Sequence, residues 1–194
     1  MRYEKGRRDA SRERILRAAS ERFRADGIAA SGLSRVMKDA GLTNGAFYPH
    51  FESKTELVRE SLVTALDAQA EQMRLILAAD GLDGLIDAYL SPEHRDDPRV
   101  GCATSALAAE IAREPQETRT AYTERVSALA RQVAAYMPPQ VTDPEATAVA
   151  LLATCIGALQ IARAVDDTGM SDGILAAGRK AARTLLRAAA SSAT

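Results

Sequence analysis

The sequence predicts an all-α protein: three N-terminal helices in a helix-turn-helix arrangement, then a larger helical domain, about nine helices in total. Three observations carry this. Alanine, the strongest helix former, is abundant, while aromatics make up 4% of the 194 residues and tryptophan is absent. Apolar residues recur at helical spacing, and runs of β-branched residues are missing. Glycine and proline fall between the periodic stretches, where helices should stop.

Residues 1–10 read as a basic arm in which Arg2, Lys5, Arg7 and Arg8 could follow a polyanion. Helix 1 is expected from Ser11, a capping residue, with Ile15, Ala19 and Phe23 as its apolar stripe and Gly27 as its end. Ser31 is the next cap, Leu33, Val36, Met37 and Ala40 face inward, and Gly41 closes helix 2. Thr43 should cap a two-turn helix 3 running to about His50. Ser53 and Glu56 form a capping box for a long helix 4 bearing Leu57, Leu62, Leu66, Met73 and Leu77. A further helix is expected over about 81–90, and the Pro- and charge-rich SPEHRDDPRVG stretch should be a loop. Helices near 101–113, 116–136, 143–166 and 171–190 complete the chain, and the tail AAASSAT should fray.

The net charge of -1 hides an asymmetry. Residues 1–54 hold 12 Lys/Arg against 7 Asp/Glu, the remainder 13 against 19. A basic end on an acidic body fits a polyanion partner, and equally a solvated first helix. Cys102 and Cys155 sit in apolar surroundings at no metal-ligand spacing, so buried, reduced thiols are expected. The N-terminus has no apolar signal region, and the uncharged stretch 146–162 is broken by Thr147, Thr154 and Gln160. A cytoplasmic protein with no membrane partner is the expectation. Nucleophile-elbow, phosphate-loop and zinc-helix motifs are absent, so no enzyme, cofactor or metal is expected. His94 with Glu93, Asp96 and Asp97 reads as a solvated loop.

Gly27 to Lys54 is the informative stretch. A helix as short as helix 3 is marginal alone. Anchoring by Phe47 and Phe51 leaves its other face free, with Thr43, Asn44, Gly45, Tyr48 and His50. Tyr48 can donate to a phosphate, and Lys54 adds charge beside a helix N-terminus that already favours anions. Gly45 lets the backbone approach a partner closely.

The segment VMKDAGLTNGAFYPHFESKTEL, Val36 to Leu57, resembles the tetracycline-repressor (TetR) family. The matching residues are Ala40, Gly41, Leu42, Thr43, Gly45, Phe47, Tyr48, His50, Phe51 and Lys54, and the upstream stripe Ile15, Ala19, Phe23 and Gly27 is at the family spacing. Two departures stand out: Met37 replaces a small residue, and Pro49 falls in the last turn of helix 3. The resemblance implies an N-terminal arm and DNA-binding domain over 1–54 and a ligand-binding and dimerisation domain over 55–194. It implies that Thr43, Tyr48 and Lys54 hold phosphates, joined by Ser31, Ser34 and Arg35. Asn44, Ala46 and Pro49 would face base edges, where Asn suits adenine and the apolar pair suits a thymine methyl.

In the C-terminal part, the resemblance implies a cavity for an unidentified small-molecule effector. Polar groups within apolar helices are the candidates to line it: Gln69, Tyr89, Thr104 and Ser105, then Tyr122, Thr154 and Gln160. Each could instead satisfy a backbone carbonyl. The last two long helices read as a homodimer surface. Ala148, Leu152, Cys155 and Leu159 contribute from the first, and Ile174, Ala177, Gly178, Ala181 and Leu185 from the second.

The expected function is a dimeric transcriptional regulator, a repressor released by ligand from a near-palindromic operator. The alternative is a dimeric small-molecule binder whose helix-turn-helix no longer reads DNA specifically. A catalytic role through Tyr122, Cys102 or Cys155 is the third possibility in view.

Overall fold

The computed structural model describes residues 2–191, with side-chain surroundings for Gly6 and from Arg8 onward. Among the described residues there are eight α-helices and one 3-10 turn: α1 (Arg2–Asp26), α2 (Leu33–Asp39), η1 (Asn44–Ala46), α3 (Lys54–Tyr89), α4 (Pro92–Asp96), α5 (Ala103–Ile111), α6 (Gln116–Ala134), α7 (Pro144–Ala164) and α8 (Thr168–Ser191). The chain forms two compact units, 1–67 with 98–123, and 68–97 with 124–194.

The first unit has a continuous apolar core. Ile15, Ala19 and Phe23 of α1 meet Val36 and Met37 of α2, Phe47 and Phe51 of the next segment, Leu57 and Leu62 of α3, and Leu107 and Ile111 of α5. Met37 is fully buried, so the larger side chain is accommodated within the core. Across the surface Arg22 of α1 bonds Asp39 of α2, which holds the Asp39 carboxyl below the usual carboxylate range, and Arg22 also reaches Asp26 at 2.6 Å. Arg12 pairs with Glu60 and lies 5.0 Å from the Phe51 ring centroid, a cation–π contact.

The second unit is built on α7 and α8, joined by a three-residue connection as an αα-hairpin. Gly178 permits their close approach. A Cβ there would lie 2.6 Å from the Ala158 Cβ and 3.1 Å from a Leu90 methyl. Gly178→Val is therefore expected to lower stability by about 1–3 kcal/mol, whereas Gly173→Ala, with open space around it, should be neutral or better. Thermal unfolding of the two variants checks this. The short α4 is fastened to the hairpin by arginines: Arg95 bonds Ser171 and Asp172 at 3.0 and 2.6 Å, and Arg163 bonds the Arg95 carbonyl at 3.0 Å.

Several expectations are corrected. Helix 1 begins at Arg2 rather than Ser11, because nothing in residues 2–10 outweighs the helix-forming Arg, Lys and Glu side chains. The Arg2, Lys5 and Arg7 side chains lie outside the description. The expected break at Gly81 is present, with φ 64 and ψ -157, inside α3. The 91–101 loop contains α4, capped by Ser91, whose Oγ accepts from the His94 N–H at 3.2 Å, with Pro92 in the first turn. The tail is helical to Ser191, and residues 192–194 lie outside the description.

The expected dimer stripe also divides. Ala148, Leu152, Cys155, Leu159 and Gly178 are buried within the chain itself. Because α7 is apolar nearly all round, its stripe at i, i+4, i+7 and i+11 could not reveal which side faces its own α8. Ala177 and Ala181 are exposed, and Ile174 and Leu185 half-buried. Burial also pushes the Cys155 thiol up to about 12, which keeps it protonated and unreactive at neutral pH.

Candidate nucleic-acid interface

Glycine sets the turn between α2 and the following segment. Gly41 has φ 67, and its N–H bonds the Lys38 carbonyl at 3.0 Å while the Leu42 N–H reaches back to Met37 at 2.9 Å. This pair of bonds is a Schellman motif, and it requires the left-handed conformation glycine supplies. Gly32, not Ser31, occupies the N-cap of α2. Ser31 is fully buried and donates its hydroxyl to the Gly27 carbonyl at 2.6 Å, so its role is to close the α1–α2 loop rather than to meet a phosphate.

The expected two-turn helix 3 is shorter. Residues 44–46 form a 3-10 turn through Ala46 N–H to Thr43 O at 3.0 Å and Phe47 N–H to Asn44 O at 3.2 Å. A second turn follows, in which the His50 and Phe51 N–H groups both donate to the Phe47 carbonyl, at 2.9 and 3.1 Å. Pro49 explains the contraction. It has no N–H to continue the ladder, and it disfavours helical geometry at Tyr48. Thr43 stands at the N-cap position, but its side chain makes no capping bond.

The packing face is as expected. Phe47 and Phe51 are each 1% exposed and stack at 5.5 Å. Tyr48 lies edge-on to Phe47 at 5.3 Å and is 73% exposed. Thr43, Asn44, Gly45 and Pro49 are exposed beside it, and Ala46 is half-buried. The surface thus gathers, within seven residues, two hydroxyls, an amide and an apolar ring. Ser34 and Arg35 of α2 are exposed as well. The Asn44 amide donates to the Ser34 hydroxyl at 3.0 Å, which orients it and leaves one N–H and its oxygen for a partner.

The cationic groups divide between structure and surface. Lys54 Nζ donates to the Ile28 carbonyl at 2.9 Å, fixing the start of α3 to the α1–α2 loop with two donors remaining. Ser53 Oγ caps the Glu56 N–H at 3.1 Å, while the Glu56 carboxylate accepts from Glu52 N–H at 2.6 Å, one residue short of the expected box. Arg8 donates to the Pro49 carbonyl at 2.6 Å, tying α1 to the recognition turn. His50 has Nδ1 buried without a partner among the described residues. Burial foremost, then the charges of Arg8 and Arg12, lowers its pKa from the ordinary imidazole value.

A family model described as bacterial regulatory proteins, tetR family, matches residues 15–61, which are the elements just described. Over these residues the chain is similar to the tetR family of bacterial regulatory proteins. Among curated relatives, the uncharacterized HTH-type transcriptional regulator YvdT of Bacillus subtilis (strain 168) is 34% identical over 55% of this chain and 57% of that protein. The HTH-type transcriptional regulator SrpR of Pseudomonas putida is 38% identical over 29% of the chain and 26% of that protein. The chain therefore spans little more than half of the length of the one and about a quarter of the other. The fold extends further. A TetR-family regulator from Cytophaga hutchinsonii superposes with TM-score 0.76 at 19% identity, over 94% of this chain and 96% of that one. E. coli NemR in its reduced form superposes with TM-score 0.71 at 22% identity, over 90% and 95%.

The candidate effector residues fall into two sets. Thr104, Ser105 and Tyr122 lie in the first unit, where Ser105 donates to the Cys102 carbonyl at 2.9 Å. Gln69, Tyr89, Thr154 and Gln160 lie in the second. Thr154 donates to its own helix at Ala150 O, 2.8 Å, and Gln160 is exposed. The Tyr89 ring meets His94 edge-on at 4.7 Å.

Proposed function

We propose that this chain is a dimeric, DNA-binding transcriptional repressor of the TetR family that a small molecule releases from a near-palindromic operator. The observation that supports it best is the exposed face of the recognition turn: Asn44 held by Ser34, with Thr43 and Tyr48 at the same surface and both phenylalanines turned inward. In this reading Thr43, Tyr48, Ser34, Arg35 and the remaining Lys54 donors take phosphates, and Asn44, Ala46 and Pro49 meet base edges beside Gly45. His50, at the end of the turn, keeps an N–H donor that can add to these contacts. Residues 1–54 carry the DNA-binding role and 55–194 effector binding and self-association.

The outward side of the α7–α8 hairpin supports self-association. The most apolar 18-residue window of α7 has mean hydropathy 1.6 and is only 33% buried in the chain. Val149, Ile161 and Met170 are more than half exposed, joined by Ala177 and Ala181 of α8. An apolar area of this kind needs a cover, and a second copy provides a self-complementary one. Two recognition turns placed roughly 34–36 Å apart would then meet successive major grooves. An effector acts by binding the DNA-incompetent arrangement more tightly.

Selection of bound sites from random duplex DNA tests the reading. Asn44→Ala is expected to relax preference at one base pair, by about 1–3 kcal/mol, and Tyr48→Phe to weaken all sites alike. Recovery of no preferred sequence would favour a degenerate helix-turn-helix in a small-molecule binder.

A further inference from the structure

The loop between α1 and α2 is held on one side by a group from α5. Gly27 ends α1 with φ +85, and the next two backbone N–H groups, of Ile28 and Ala29, both donate to the Glu110 carboxylate at 3.1 and 2.8 Å. Two successive N–H groups converging on one carboxylate form an anion-holding nest, and such charge-assisted bonds are stronger than neutral ones. The fit is close: a Cβ at residue 27 would lie 2.7 Å from Glu110 Oε1. The same loop is gripped from the other side. The Ile28 carbonyl accepts from Lys54 and the Gly27 carbonyl from Ser31. A parallel tie joins Arg24 of α1 to the Arg99 carbonyl, in the segment leading to α5.

This loop leads directly into α2, whose Ser34 orients Asn44. At its other end α5 carries Thr104 and Ser105, both buried. Only five residues, about 7.5 Å of helix, separate Ser105 from Glu110. A short helix cannot shift at one end and leave the other in place, and hydrogen bonds weaken steeply once stretched or misaligned.

We infer that Glu110 is the positioning residue that keeps the α1–α2 loop in the DNA-reading arrangement, so that displacement of α5 releases the loop and lowers affinity for duplex. This rests on the DNA-binding reading and assigns that reading a regulatory contact.

The test uses the full chain with Glu110→Ala and Glu110→Gln. Glutamine keeps the side-chain volume but turns an amide N–H₂ toward a backbone donor, so it separates positioning from packing. Amide hydrogen exchange at Ile28 and Ala29 should accelerate by about tenfold in both variants, with core amides of α1 and α3 unchanged. Affinity for a duplex selected by the unaltered chain should fall by about tenfold in both. Binding by the variants within twofold of the unaltered chain would overturn the assignment. So would unchanged exchange at residues 28 and 29, or loss of protection throughout the unit. If the unaltered chain selects no duplex at all, the DNA-binding reading itself fails, and the assignment with it.

Discussion

Phe47→Ala is expected to cost about 3–5 kcal/mol of stability, a large share of what a domain of this size possesses. The segment it anchors is otherwise held by Phe51, by Arg8 at the Pro49 carbonyl and by Asn44 at Ser34. Its backbone makes two 3-10 bonds and one bifurcated acceptor at Phe47 itself, in place of a regular helical ladder. The ring is 1% exposed, stacks on Phe51 and supports Tyr48 edge-on. Removing it leaves a cavity under the recognition turn, and with it the platform that presents Thr43, Asn44 and Tyr48. Urea denaturation followed by helical circular dichroism measures the loss. A cost below about 1 kcal/mol would mean that the turn is held by something other than this ring.

The second large effect is on assembly. Val149→Asp and Ile161→Asp alter side chains that are 53% and 56% exposed in the single chain. A carboxylate there costs the isolated protomer little, within about 0.5 kcal/mol. In a symmetric interface each substitution appears twice and must be desolvated. The double variant is therefore expected to sediment as a monomer at micromolar concentration while keeping its circular dichroism. Operator affinity should drop by at least about 100-fold once the two recognition turns are no longer linked. A variant that remains dimeric would move the interface away from the outward face of α7 and α8.

What could be read from the sequence was local. Gly27, Gly41 and Gly81 mark real breaks because each adopts positive φ, and Ser53 caps α3 as its spacing required. The Phe47–Phe51 pair was legible because a helix too short to stand alone needs anchors. Pro49 was visible as a departure, whereas the Arg8 bond to its carbonyl, from 41 residues away, was not. The contacts that fasten the site join residues far apart in the chain: Lys54 to Ile28, Arg22 to Asp39, Glu110 to Ile28 and Ala29. No spacing rule connects Glu110 with residue 28, and a single acid near the end of an apolar helix resembles any solvated charge. Which side of α7 packs within the chain was not legible for a different reason, since a helix apolar nearly all round carries little phase. In the 91–101 stretch, proline and charge signalled a loop, although Ser91-Pro92-Glu93 also spells a helix start, and the cap decided it.

The salt dependence of binding to the selected duplex tests the central claim most directly. Six or more phosphate contacts from two copies of the turn and α2 predict that affinity falls by about 10³ or more between 50 and 200 mM salt, while preference for a near-palindromic sequence persists. Affinity that is flat with salt, with no sequence preferred over random duplex, would contradict it.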